Sequence, residues 1–195
     1  MYAKSIAVAT ALAAFTSVVS AGTATVQNNC GYDVYVWSVA DQADAPMTTL
    51  NSGNPSYSEA FRTNGNGGGI SIKLSTQNDQ STVTQFEYTL SSDESNVYYD
   101  LSNINGNPFE QGGTSLTPSD SSCTSVSCAA GVSDCTGAYN QPDDNWATQG
   151  CSSSTDLTLT LCPGGSSKRD VPTATTVAGA HNAQYRRQAY ERSQQ

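Results

Sequence analysis

The chain has 195 residues, 36% hydrophobic, 13% charged and 8% aromatic, a length for one domain with tails and a composition too apolar for a disordered chain. Eight basic residues against seventeen acidic ones give a net charge of −9, which excludes a nucleic-acid binder, since phosphate contacts need a basic face. A single histidine, His181, excludes Ser-His-Asp and Cys-His catalysis within the body of the chain.

Residues 1–21 read as a secretion signal. Lys4 supplies the positive start, Ile6 to Val19 the apolar run, and Val19-Ser20-Ala21 a small-residue cleavage site, so the mature chain is expected to begin at Gly22. The run falls short of the ~20 residues needed to cross a bilayer, and no second run of that length follows, so no membrane span is expected.

The body, residues 22–167, reads as all-β. Thr25-Val26 and Val34 to Trp37 come first, then Tyr57 to Phe61, then Ile70 to Leu74 after a glycine run. Thr82 to Leu90, Asn96 to Leu101 and Leu157 to Leu161 complete a set of short alternating runs bounded by Gly, Asn, Asp and Ser, the pattern of a sandwich or barrel. No segment carries a sustained helical period, and residues 119–150 read as loop.

One hairpin can be set in register from patterning alone. With Ser92 to Ser95 as a four-residue loop, Phe86 faces Leu101, Tyr88 faces Tyr99 and Leu90 faces Val97, which makes one face wholly apolar. Slipping by one residue sets Phe86 against Asp100 and mixes the two faces, which burial forbids. The register therefore puts Glu87 directly opposite Asp100 on the polar face, an unfavourable pair unless a cation stands near. Lys73, on the preceding strand, is the candidate cation. Two solvated surface carboxylates are the plainer reading of the same pair.

Six cysteines lie in this body: Cys30, Cys123, Cys128, Cys135, Cys151 and Cys162. In an oxidising compartment an even set implies three disulfides, with fifteen possible connectivities. No C-x-x-C pair or neighbouring histidine supports a metal site, and no cofactor is implied. Residues 22–167 hold only Arg62 and Lys73 against fifteen carboxylates, whereas residues 168–195 hold five cations and two carboxylates. That basic tail opens with Lys168-Arg169 after a Gly/Ser loop, and the dibasic pair reads as a processing site rather than as part of a tail that stays attached.

In this order the segments resemble the thaumatin-like proteins. Ala24 to Cys30 followed by Val34 to Trp37 is similar to the family's opening strands, and Gly68 to Lys73 to the strand that normally ends in Arg. Glu87 to Leu90 and Tyr98 to Ser102 resemble its Glu- and Asp-bearing strands, and Asn105-Gly106 with Pro108 the loop that follows. Cys123 to Ala130, Cys135 to Tyr139 with Pro142 to Asp144, and Gly150-Cys151 with Leu157 to Pro163 resemble its cysteine segments and closing strand. Only six residues separate Cys128 from Cys135, so the family's cysteine-rich second domain is absent, and the chain is similar to the small secreted fungal members, including the yeast-phase-specific and antigenic type.

The resemblance implies an antiparallel β-sandwich stapled by Cys30–Cys162, Cys123–Cys151 and Cys128–Cys135. It also implies a site. The acidic cleft of glucan-binding members, one Arg, one Glu and three Asp, falls here on Lys73, Glu87, Asp100, Asn105 and Gly137. The function it implies is that of a secreted, non-catalytic monomer at the fungal cell wall or spore surface. Its expected partner is wall polysaccharide (β-glucan) or a host or cell-surface protein, in spore germination or host contact. The alternative is a weak β-1,3-glucan hydrolase using Glu87 and Asp100. Tyr35, Trp37 and Trp146 are the aromatics that would stack on sugar rings if exposed.

Overall fold

The computed structural model describes residues 21–165, apart from 42–45, 54 and 66. The secretion signal, except Ala21, and the processing site at Lys168-Arg169 with its tail lie outside the described residues. Two sheets form the molecule, and alternation is what builds them. In β1 (Thr23–Asn28) every second residue is buried, and in β11 (Leu157–Leu161) Leu157, Leu159 and Leu161 are fully buried between two half-buried threonines. These two strands lie side by side at the middle of the first sheet, between β4 (Ser56–Ala60) on one side and β8 (Thr114–Pro118) with β9 (Val126–Cys128) on the other.

The second sheet runs β10 (Gln149–Ser152), β7 (Asn96–Ser102), β6 (Thr84–Leu90), β5 (Ile70–Ser75), β2 (Val34–Val39), β3 (Met47–Leu50). Strand pairing is antiparallel except between β1 and β11, which run parallel. A parallel neighbour needs a long connection, and here the rest of the domain is that connection. The inner faces meet in one core, where Ile72, Phe86, Tyr99, Leu101, Leu116 and Leu159 are each buried to within 1%. The β6–β7 register is the one that patterning demands: Phe86 faces Leu101, Tyr88 faces Tyr99 and Glu87 faces Asp100, with the Ser91 amide bonded to the Asn96 carbonyl across the loop.

Strands β3, β8, β9 and β10 go beyond the sequence reading. Each is short or rich in Thr, Ser and Gly, and β3 and β10 bury a single residue apiece, so neither shows the alternation by which a strand is recognised. Within 119–150 the chain otherwise forms turns and one 3-10 turn, Asn145–Ala147. The cysteines form three disulfides, Cys30–Cys162, Cys123–Cys151 and Cys128–Cys135. Among the described residues no helix is long and apolar enough to cross a membrane.

Candidate functional site

Because β5, β6 and β7 bury their even-numbered, even-numbered and odd-numbered core residues inward, their alternate residues line the outer face of the second sheet. Ser71 stands opposite Glu87, and Glu87 opposite Asp100; one step along, Trp37 stands opposite Lys73, Lys73 opposite Gln85, and Gln85 opposite Ser102. Lys73 is thus diagonal to Glu87 rather than facing it. The two carboxylates sit on neighbouring strands with Cβ atoms roughly 4.5–5.5 Å apart by sheet geometry. Both residues are half-buried, and one oxygen of Asp100, Oδ1, is fully buried.

Hydroxyls and amides knit the face together. The Ser71 hydroxyl lies 2.9 Å from Glu87 Oε1 and 3.1 Å from Gln85 Oε1, and Ser71 is itself buried. Gln85 Nε2 donates to Asn105 Oδ1 at 3.1 Å, so Asn105 joins the cluster through Gln85. Ser71 and Gln85 were signalled by strand alternation, since they share the phase of Lys73 and Glu87, yet neither counts among the acidic set that the resemblance supplies. Gly137, where that resemblance puts a third Asp, has its Cβ direction 3.0 Å from a Val126 methyl, so a side chain there would displace the β9 packing.

The open edge of β7 completes the site. Tyr139 pairs with Ser102 as a parallel bridge, donates its amide to Leu101 and gives its carbonyl to Asn103. Further along the same edge β10 pairs with Asn96 to Tyr99. Between these contacts the chain loops out through residues 140–148 beside Asp100, and the loop is fastened at its neck by Tyr139 Oη and Thr148 Oγ1, 2.7 Å apart. Burial raises the Tyr139 phenol above its ordinary pKa, and the charges of Asp100 and Glu87 add to the rise, which places the phenol in their field. Asp144 holds the loop from inside, accepting the amides of Asn140 and Gln141 at 2.9 Å each.

On that loop Trp146 is 68% exposed, whereas Trp37 is buried at 7% and Tyr35 is half-buried. Tyr98, on the same outer face, lies 3.4 Å from the Cβ direction of Gly150 on β10, so its ring covers the glycine. Of the aromatics named for sugar stacking, Trp146 is the one that offers a face to solvent. A grouping of Asp120 with Cys123 and Cys151 has the spacing of metal ligands, but the two sulfurs are bonded to each other and Asp120 accepts from the Ser122 amide and hydroxyl.

A two-sheet sandwich with this outer face and these disulfides defines a thaumatin-like protein. The model of the Blastomyces yeast-phase-specific protein family matches residues 11–163, and the chain belongs to that family. It is 57% identical over 146 residues to the antigenic thaumatin-like protein of Arthroderma benhamiae, spanning 75% of this chain and 73% of that protein. It is 43% identical over 143 residues to the secreted thaumatin-like protein calA of Emericella nidulans, spanning 72% of this chain and 81% of that one. Among solved structures, the protein elicitor MoHrip2 from Magnaporthe oryzae superposes with a TM-score of 0.62 at 33% identity, covering 73% of this chain and 99% of the other. The thaumatin-like xylanase inhibitor TLXI shares the fold at a TM-score of 0.51 and 18% identity, over 72% of this chain and 99% of its own.

Proposed function

We propose that the chain is a secreted, non-catalytic binding protein whose outer β5–β6–β7 face, rimmed by Trp146, takes a β-glucan chain of the fungal wall. The observation that carries this reading is Trp146, two-thirds exposed on a loop whose neck is fastened beside Asp100. An aromatic plane next to carboxylates, amides and hydroxyls matches a sugar ring, apolar on its faces and rich in hydroxyls at its edge. The link between Cys128 and Cys135 is six residues long, too short to hold a further domain there. Catalysis by this pair would need a general acid that keeps its proton and a groove that orients the substrate, and binding needs neither. A relative named as an antigen and a structural neighbour named as an elicitor support a role at a surface met by other cells, so a protein partner is the second reading.

The test is retention on insoluble β-1,3-glucan and on chitin, run beside a reducing-sugar assay. The expected result is retention without sugar release, with Trp146→Ala weakening retention roughly two- to tenfold, the value of one stacked aromatic. Glu87→Gln should leave retention largely intact. Sugar release that Glu87→Gln abolishes would establish the hydrolase instead, and no retention on either polymer would leave the protein partner.

A further inference from the structure

The start of β1 is fixed to the connection between β10 and β11. Gly22 is buried; its amide donates to the Ser153 carbonyl at 2.7 Å, and its carbonyl accepts the Phe61 amide at 2.9 Å. A Cβ at this position would run into the Thr155 carbonyl and come within 3.0 Å of the Phe61 ring, so the backbone approach admits only glycine. The next residue, Thr23, donates its amide and its hydroxyl to Asp156 Oδ1 at 2.9 and 2.8 Å.

The acceptor is a junction. Residues 153–156 form the turn that carries the chain from β10 in one sheet to β11 in the other. Ser153 donates its hydroxyl to the Glu94 carbonyl at 2.6 Å and its amide to the Ser95 carbonyl at 3.1 Å, which ties the turn to the β6–β7 loop. Cys151, just before it, is bonded to Cys123, and the Asp156 amide donates to Ser119 Oγ at 3.0 Å. Gly22 thus joins a junction that already connects both sheets. Ala21, immediately before it, is exposed.

We infer that Gly22 is the first residue of the mature protein and that its α-ammonium group docks on the β10–β11 turn as a working part of the fold. The inference rests on reading residues 1–21 as a secretion signal. A signal peptidase hydrolyses the Ala21–Gly22 bond; one water is consumed, Ala21 leaves with the new carboxylate and Gly22 keeps the nitrogen as an ammonium. One of its three N–H groups keeps the bond to the Ser153 carbonyl that the Gly22 amide makes. Asp156, one peptide unit away on Thr23, supplies the opposite charge. Cleavage therefore replaces a neutral hydrogen bond with a charge-assisted one, the stronger kind.

Sequencing and intact mass of the secreted protein should give Gly22 as the N-terminal residue. Cyanate, which carbamylates neutral amines, should modify the α-amine of the folded wild-type protein several-fold more slowly than in denaturant, read on the N-terminal peptide. Gly22→Ala should lower Tm by several degrees, while Gly164→Ala, where the Cβ direction is open, leaves it unchanged. If Gly22→Ala is not secreted, the cyanate comparison on the wild-type chain decides. A mature chain that starts at any other residue, an α-amine equally reactive folded and unfolded, or a Gly22→Ala protein with unchanged Tm would overturn the inference.

Discussion

Glu59 points inward from β4, because it pairs with Ala24, whose side chain lies in the core. A carboxylate on the inner side of an edge strand is costly unless satisfied, and here two phenols satisfy it. Tyr88 donates to Oε1 and Tyr57 to Oε2, both at 2.7 Å, while Arg62 approaches Oε2 at 3.9 Å. Tyr88 reaches across from the second sheet, so this contact joins the two layers. An inward charge also blocks β4 from pairing with a second sheet edge. Tyr88→Phe should therefore destabilise the protein by about 1.5–3 kcal/mol, the worth of a hydrogen bond to a charged group, measured by urea unfolding. Burial first, then the bond to Glu59 and its charge, pushes the Tyr57 phenol up to about 12 and raises that of Tyr88 as well. A phenol whose folded pKa lies above its unfolded value near 10 contributes stability that is complete below pH 10 and is lost as pH climbs through the folded value. Thermal melts should hold steady to about pH 10 and then fall towards pH 12. The Tyr57→Phe, Tyr88→Phe double variant, less stable at neutral pH, should show a shallower alkaline fall.

The turns between strands repeat one device, an Asp whose Oδ1 takes both the amide and the hydroxyl of the Ser two residues on. Asp79 holds Ser81, Asp93 holds Ser95 and Asp120 holds Ser122 in this way, and Asp93 also accepts the Ser91 hydroxyl at 2.6 Å. The Ser91 hydroxyl first, then the Ser95 amide and hydroxyl, hold the Asp93 carboxyl down at about 2, and Asp79 and Asp120 are lowered by their own serines. A depressed carboxyl contributes stability above its unfolded pKa and loses it as pH falls through the folded value. Melting temperature should therefore decline from about pH 4 towards pH 2. Asp93→Ala, which removes the turn's acceptor, should lower Tm at pH 7 and flatten that acid limb; an unchanged limb would show that the turn does not contribute. These turns were legible as Asp/Ser punctuation, and the β6–β7 register was legible because a one-residue slip would bury Asp100. The β7 edge was not. Tyr139 meets Ser102 through a parallel bridge between residues 37 apart in sequence, an event of tertiary packing that leaves no local pattern. Strand β3 was hidden for a related reason, since Met47, Thr48 and Thr49 are all exposed and only Leu50 turns inward. Cysteine pairing needed the family resemblance, because six cysteines by themselves leave fifteen connectivities open.

At the scale of the whole molecule, the first and last strands lie side by side, and that adjacency governs how the disulfides act. Parallel pairing of β1 with β11 brings Asn28 opposite Leu161, and the next residues on each side lead to Cys30 and Cys162, joined across 132 positions of sequence. The bond thus closes nearly the entire domain. Cys123–Cys151 closes 28 positions and Cys128–Cys135 only 7. In the loop-entropy account, closing these loops restricts the unfolded chain by about 5, 3.6 and 2.4 kcal/mol respectively. The short bridge also has a local role, since Gly137 beside it packs against Val126 and the chain then turns into the Tyr139 bridge that borders the acidic face. The long bridge stabilises the sandwich as a whole, and the short one shapes the rim of the site. Paired Cys→Ser variants should separate these effects. Removing Cys30 and Cys162 should cost most in urea unfolding, about twice the loss on removing Cys128 and Cys135. The second variant should stay folded at room temperature but show Tyr139 more reactive to iodination, because the loop that buries its phenol has lost its tether. Equal losses from the two variants would mean that native-state contacts, rather than the length of the closed loop, set the contribution of each bridge.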